Sequence, residues 1–379
     1  MDKEVIIISS SLNLGGAESQ AVELANKLER KLFKVSFYSL KQGIVLKKNL
    51  NSNINLREFK IYSTKNKNKF SLGTFYWWLK GVRQLRAEIR DITKKDKSVV
   101  VISFMFHSWV TGFVSTLFIR SSKHIISVRS NKITGRSSNT KILRYILYLF
   151  ISTVSALTVF NSISAYNLLG KHLKNTKKTV ISNFLKESKS TNINFELDTL
   201  ISNNLSAINI LSIGRLDRLK NYRESIKAVS LLKKKGIDVS YFIFGEGQEK
   251  ENLNSLIKLL ELEKNVFLVG AVENIELFMN HFKFLLLTST HESFPNVVVE
   301  AMNNELFVIA TKVGDVPLLL ENDRGILIEG FKSNSIFNSI EKFLDMNNED
   351  LNKVIKKNKI FINNYISNAA ILKKWISLI

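Results

Sequence analysis

A set of short, unbroken apolar runs constrains this chain more than any other feature. They read VIIIS (5–9), VSFYSL (35–40), SVVVISF (98–104), HIISV (124–128), INILSIG (208–214), VSYFIFG (239–245), NVFLVG (265–270), FKFLLLTST (282–290) and LFVIAT (306–311). Each has the length of a strand and is apolar at successive rather than alternate positions, so both of its faces must be covered. Amphipathic segments separate them, among them AESQAVELANKLER (17–30), YWWLKGVRQLRAEIRDI (76–92) and YRESIKAVSLLKKK (222–235). Strands alternating with helices predict an α/β fold with doubly wound parallel sheets. The rhythm restarts after residue 205, which predicts two Rossmann-like domains facing each other across a cleft. The expected limits are 1–186 for the first domain and 205–362 for the second. The polar, aperiodic ESKSTNINFELDTLISNN (187–204) is the expected linker, and a helix in 363–379 is expected to pack back on the first domain.

Length and composition agree. A chain of 379 residues is long enough for two ordinary cores. It has no cysteine, which excludes disulfides, thiolate metal sites and a cysteine nucleophile, and suits a reducing compartment. The opening MDKEVIIISS lacks the apolar core and cleavage site of a signal peptide, so a cytoplasmic location is expected.

Charge is unevenly placed. The net charge is +22, yet residues 1–190 carry 33 Lys+Arg against 10 Asp+Glu, while residues 191–379 carry 22 against 23. No acidic residue occurs between Lys97 and Lys186. A lysine-rich composition alone would spread the excess evenly, so the asymmetry points to a face that meets polyanions, nucleic acid or an anionic membrane. No helix-turn-helix, OB-like or RNP-like signature accompanies it, which argues against nucleic acid. The run ILRYILYLFISTVSALTVF (142–160) contains Arg144 and ends in strand-like SALTVF. It reads as a buried helix entering a strand rather than a membrane span, with a helix in the membrane interface as the second reading.

Four clusters fall where strands pass into helices. In THESFPNVVVEAM (290–302), Pro295 suits a helix start, Glu292 precedes it, and Glu300 lies one to two turns inside. The carboxyl edge of a doubly wound sheet binds ligands, and carboxylates there suit a hydroxyl-rich one, since each accepts two hydrogen bonds from a diol. Either glutamate alone has an ordinary reading, as a helix-start acid or a surface residue. In IGRLDRLKN (213–221), Arg215 and Lys220 combine a planar fork with a mobile point charge, as a diphosphate requires. In NLGGAES (13–19), Gly15 and Gly16 permit close backbone approach to phosphate, although the pattern is not G-x-G-x-x-G. FGEGQEKENL (244–253) places Gly245 at another strand end.

Taken in this order, the motifs resemble the retaining glycosyltransferases of family 4, the glycosyl transferases group 1 set with the GT-B fold. The resemblance is carried by GGAE (15–18), GRLDRLKN (214–221), FGEG (244–247), FLVG (267–270), ESFPNVVVEAM (292–302) and VGDVPLLLENDRGILI (313–328). It covers nearly the whole chain and is loosest between residues 40 and 180. It implies that Glu292 holds the donor hexose and that the stretch Phe294, Pro295, Asn296 and Val297 meets sugar and phosphates. It implies that Glu300 binds the ribose diol, that Arg215 and Lys220 neutralise the leaving diphosphate, and that Val269 and Gly270 lie near the base. His107 then contacts the donor sugar or the acceptor, and Arg129 faces the acceptor; the ordinary alternatives are a strand end and a surface arginine. Glu292, His107, Arg215 and Lys220 are the expected catalytic set. No metal is expected, and no D-x-D pair is present. His291 has a structural reading, and His124, His172 and His281 show no pairing.

Two departures concern the acceptor half: Leu157 stands where the family often has Asp, and ISNFLKE (181–187) replaces the usual Asn-Gly or Asn-Pro turn. The expected reaction moves a hexosyl or N-acetylhexosaminyl group from a nucleotide diphosphate sugar, with uracil as the expected base. The expected acceptor is a hydroxyl of a lipid-linked glycan in O-antigen or capsule synthesis, at the inner membrane face. A sugar-nucleotide epimerase of the same fold is the alternative, and a basic nucleic-acid-binding protein a weaker one.

Overall fold

A computed structural model describes residues 3–13, 15–43, 45–59, 72–131, 138–174, 176–186, 195–272 and 274–379. The chain divides into two units, residues 1–184 with 368–379, and residues 185–367.

The first unit holds strands β1 (Lys3–Ser9), β2 (Lys34–Ser39), β3 (Asn55–Glu58), β4 (Ser98–Phe104), β5 (Ser122–Val128), β6 (Leu157–Phe160) and β7 (Lys178–Val180). They form one sheet in the order β3-β2-β1-β4-β5-β6-β7, and every pairing is parallel. Helices α1 (Gly16–Glu29), α2 (Leu72–Thr93), α3 (Phe106–Thr116), α4 (Ser138–Val154) and α5 (Ile163–Leu169) connect them. The central strands are apolar on both faces because both faces are covered: Ile6, Ile8 and Val101 pack with Leu85 and Ile89 of α2. Ile126 and Phe160 pack with Trp109 of α3 and Tyr148 and Ile151 of α4.

The second unit repeats the plan. Its strands are β8 (Ile208–Ile213), β9 (Val239–Phe244), β10 (Val266–Gly270), β11 (Phe284–Leu287), β12 (Phe307–Thr311) and β13 (Ile326–Ile328), in the order β10-β9-β8-β11-β12-β13. All pairings are parallel. Its helices are α6 (Phe195–Ser202), α7 (Tyr222–Lys234), α8 (Lys250–Leu259), α9 (Asn296–Asn303), α10 (Val316–Leu320), α11 (Ser333–Leu344) and α12 (Asn348–Tyr365).

The final helix, α13 (Asn368–Leu378), belongs to the first unit. Trp375 is buried with its ring 6.4 Å from that of Phe104. Lys3 and Lys123 donate to the carbonyls of Ile379 (2.8 Å) and Leu378 (2.5 Å), at the helix end where cations are favoured.

Some expectations change. Residues 363–379 are not one helix: α12 ends at Tyr365 and α13 starts at Asn368. Residues 195–202, read as part of a linker, form α6, whose Leu197 and Ile201 are buried; 187–194 lie outside the described residues. The edge strands β3 and β13 were not anticipated, and β7 was read only as the strand leading into ISNFLKE. They are three or four residues long and partly solvated, so they carry no long apolar run.

Candidate active site

Both sheets reverse direction of winding at one place, between β1 and β4 in the first unit and between β8 and β11 in the second. Loops leaving the carboxyl ends of those neighbours diverge to opposite faces, and the gap between them is where ligands bind in this class of sheet. In the second unit the loops in question carry Arg215 to Lys220 after β8 and Glu292 to Asn296 after β11. Gly245 and Gly270 end the two strands that follow outward from β8, and Gly245 N–H donates to the Gly270 carbonyl at 2.8 Å.

Lys220 and Glu292 meet across that switch point. Lys220 Nζ lies 2.7 Å from Glu292 Oε1, and Ser289 Oγ donates to the same oxygen at 2.8 Å. Both charged side chains are largely buried, at 19 % and 16 % exposure, so the pair is screened little by water. A Cβ on Gly214 (φ +155°) would stand 2.9 Å from Lys220 Cε and 3.1 Å from the Tyr222 hydroxyl. Glycine is therefore required for the lysine to lie along the strand end. Tyr222 is buried, and its phenol is pushed well above its ordinary pKa, first by burial and then by the neighbouring Tyr241 phenol and the carboxylates of Glu292 and Asp217.

Arg215 is exposed, and its Nη2 pairs with Asp217 at 3.1 Å. Asp217 also caps the following turn, accepting from the N–H groups of Leu219 and Lys220. Each of the two expected cations thus has a carboxylate partner inside the chain. Two glycines hold the loops at contact distance. A Cβ on Gly245 would sit 1.9 Å from the Gly214 carbonyl, and one on Gly314 (φ +56°) would sit 2.4 Å from the Ser293 carbonyl. Asp315 N–H donates to that Ser293 carbonyl, so the 313–315 loop braces the residues next to Glu292.

Pro295 stands at the cap of α9, its carbonyl accepting from Val298 and Val299. Phe294 is buried, and Asn296 and Val297 are half-buried. Val269 is half-buried on β10, and Gly270 (φ +93°) leaves only 3.1 Å between a Cβ and Glu246 Oε1. Glu300 lies in a small pocket of about 90 Å³ shared with Lys186, Glu276 and Asn303. Burial pushes its carboxyl up to about 7, an effect opposed by Lys186 and reinforced by Glu276. Lys186 pairs with Glu276 at 3.2 Å.

In the first unit the expected residues follow three adjacent strands, β1, β4 and β5. Gly15 caps α1 with extended backbone (φ −170°), and the space above its Cα is filled by the Glu18 carboxylate, which Ser10 holds at 2.8 Å. His107 is the second residue of α3, and the helix is capped by Met105, whose φ of +71° is a strained conformation for that residue. The His107 surface is exposed. Its pKa is nevertheless lowered, first by the protein packed about the ring and then by Arg144 and Lys41.

Arg129 is not a surface arginine. Its guanidinium lies 4.6 Å from the Phe104 ring centroid and 6.0 Å from that of Trp375, and it donates to Asn183 Oδ1 at 2.5 Å. Among the described residues it has no carboxylate partner, its Nε is buried without a hydrogen bond, and burial lowers its pKa to about 9.

Asp217, Ser289, Tyr222, Lys186 and Glu276 were not foreseen at the site. Asp217 stands inside a quoted motif, but Lys186 and Glu276 reach Glu300 from 114 and 24 residues upstream, a distance no spacing reveals. The histidines read as unpaired have partners: His124 bridges Ser103 and Ser155, His281 meets Asp198 at 3.2 Å, and His172 packs edge-on to Tyr145. Among the described residues no three His, Asp or Glu side chains gather as metal ligands would.

Residues 202–361 match the family model described as glycosyl transferases group 1. A Campylobacter jejuni protein named GalNAc-alpha-(1->4)-GalNAc-alpha-(1->3)-diNAcBac-PP-undecaprenol alpha-1,4-N-acetyl-D-galactosaminyltransferase is 26 % identical over 360 residues, 94 % of this chain and 92 % of that one. A second protein of that organism is named N-acetylgalactosamine-N,N'-diacetylbacillosaminyl-diphospho-undecaprenol 4-alpha-N-acetylgalactosaminyltransferase. It is 36 % identical over 138 residues, 36 % of this chain and 37 % of its own length. Among solved structures, Anabaena HepE in complex with UDP and glucose matches with a TM-score of 0.78 at 18 % identity, over 99 % of this chain and 98 % of that chain. At that identity the likeness establishes the two-domain α/β architecture.

Proposed function

This chain is a glycosyltransferase whose second unit is a glycosyl transferases group 1 domain, and from that premise we propose which sugar transfer it performs. The donor is a nucleoside diphosphate hexose or N-acetylhexosamine, with UDP as the nucleotide. The acceptor is a hydroxyl of a lipid-linked glycan, the reaction retains anomeric configuration, and the product enters bacterial surface polysaccharide. The enzyme works at the inner face of the membrane.

The observation that carries this reading is the Lys220–Glu292 contact at the β8/β11 switch point. A lysine ammonium has three N–H donors, and Glu292 engages one, leaving the others for a diphosphate oxygen. Glu292, a carboxylate acceptor at the same place, would accept from hexose hydroxyls. Arg215 adds an exposed cation two residues after β8. As the anomeric bond breaks, charge develops on the diphosphate, and these cations stabilise it in the transition state without a metal ion. The leaving diphosphate takes the acceptor's proton on the same face, which retains configuration. Glu300 accepts the ribose diol. The relatives' names support the lipid-linked acceptor, since both C. jejuni proteins are named for diphospho-undecaprenol glycans. An epimerase needs no acceptor, and the group 1 match does not favour it.

The test is a thermal-shift screen of nucleotide sugars on the wild type and on Glu300→Ala. One nucleoside diphosphate sugar is expected to raise the midpoint of the wild type alone. If a nucleotide sugar raises both midpoints equally, the donor site is elsewhere, and if none raises either, the donor reading fails.

A further inference from the structure

We infer that the outward face of α4 is a membrane-interface helix that seats in an anionic lipid surface. It rests on the lipid-linked acceptor reading for its purpose, while its geometry stands alone.

The helix has an apolar stripe on its outward side as well as the apolar residues it turns to the core. Tyr148 and Ile151 point into the core with Trp109, Ile126 and Phe160. On the other side Ile142, Leu143, Ile146, Phe150 and Val154 are each 52–58 % exposed. At 100° per residue these five positions fall within an arc of about 120°, one continuous stripe along the helix. An exposed stripe of this kind marks an unfilled contact.

Charge selects the occupant. The stripe lies on the unit that carries the basic excess, within a stretch that has no acidic residue from Lys97 to Lys186. His172 packs against Tyr145 of α4, with ring centroids 5.7 Å apart, which places the exposed Lys171 and Lys174 beside the helix; Lys141 is exposed on α4 itself. Lys141 lies on the side of α4 away from the stripe, while Lys171 and Lys174 stand near it, and an apolar face on so basic a unit is the pattern of a helix lying in the headgroup region of an anionic bilayer. Among the described residues no helix is long and apolar enough to cross a membrane, so the contact is with the surface.

The absence of cysteine makes the test clean. Full-length Ile146→Cys carries an environment-sensitive fluorophore and is mixed with phosphatidylglycerol–phosphatidylethanolamine vesicles, with phosphatidylcholine vesicles as the neutral control. The fluorophore is expected to shift to the blue and to be quenched by lipids brominated near the headgroup. The same label at Lys342→Cys on α11 should not respond. In sedimentation, Ile146→Ser with Phe150→Ser should lower partition to anionic vesicles at least about tenfold, with circular dichroism unchanged. A water-like label at Ile146 in sedimented protein overturns the inference and leaves docking to charge alone. A wild-type dimer that the double variant converts to monomer, with vesicle binding intact, overturns it in favour of self-association. Donor binding followed by calorimetry on the same samples separates the two readings: its loss in the wild type strikes the donor site and not α4.

Discussion

Lys220 Nζ donates to Glu292 Oε1 across 2.7 Å, joining two residues 72 positions apart into one charged unit at the centre of the second sheet. With both side chains mostly out of solvent, removing either leaves the other a buried charge without its partner. Lys220→Met and Glu292→Gln are each expected to lower kcat/KM by roughly 10²–10³. The double variant should be hardly worse than the poorer single one, because residues acting as a unit are not additive. A double-mutant cycle should then give coupling about as large as the smaller single effect, roughly 3–4 kcal/mol. Simple additivity would mean that the two act separately on the donor.

If Glu300 holds the donor's ribose diol as proposed, donor binding is expected to depend on pH. Its carboxyl titrates near 7 in the folded protein because it is buried, and a ribose diol is held best by the ionised form. The diphosphate diester of a nucleotide sugar does not titrate in this range. Affinity should therefore rise from pH 6 to about 7.5 and level off above, with proton release on binding below pH 7. Calorimetry in buffers of different ionisation enthalpy measures that release. The folded pKa is raised, so without donor this group's stabilisation is complete below its unfolded value near 4.5. It is lost at up to about 1.4 kcal/mol per unit between about pH 4.5 and 7, and the loss levels off above the folded value. Glu300→Gln should flatten both dependences; a wild-type affinity independent of pH would show that Glu300 does not meet the donor.

How much of this could be read beforehand follows from what sequence patterns encode. The central strands were legible because burial on both faces writes a continuous apolar run, as in SVVVISF for β4. The edge strand NLRE alternates between exposed and half-buried positions and writes no such signal. Lys220 and Glu292 were legible as members of motifs, and their contact follows from the order of β8 and β11. Arg129 was legible as a residue but not in its state, since nothing local announces that Phe104 and Trp375, the latter from α13, take up its guanidinium. Glu276 and Lys186 were invisible, because only the folded chain brings them to Glu300.

Glycine substitutions should separate close approach from simple conformational preference. Gly236 (φ +79°) has open space where a Cβ would stand, so Gly236→Ala incurs only the left-handed backbone penalty, about 1 kcal/mol. Gly245 (φ +150°) would put its Cβ 1.9 Å from the Gly214 carbonyl, a backbone atom that cannot swing aside. Gly245→Ala should push the loops after β8 and β9 apart, cost more than about 2 kcal/mol and abolish donor-induced stabilisation. Thermal melts with and without nucleotide sugar compare the two. Equal costs would mean that the β8 loop yields freely and that the site tolerates its movement.

Arg129 presents the opposite case, a residue whose removal should help the fold and harm the reaction. Its guanidinium is partly withdrawn from water, has no carboxylate partner among the described residues, and is held by Asn183 and two aromatic faces. Replacing a buried ion with an apolar side chain of similar length is often neutral or stabilising. Loss of the contacts with Phe104 and Trp375 offsets part of the gain, by about 1–2 kcal/mol. Arg129→Met should therefore leave the melting midpoint unchanged or raise it. If the cation faces an anionic acceptor, KM for that acceptor should rise while donor affinity stays the same, the combination expected where function has been kept at the expense of stability. A lowered midpoint with activity falling only in proportion to the folded fraction would make Arg129 a structural residue that pins α13 to the first sheet.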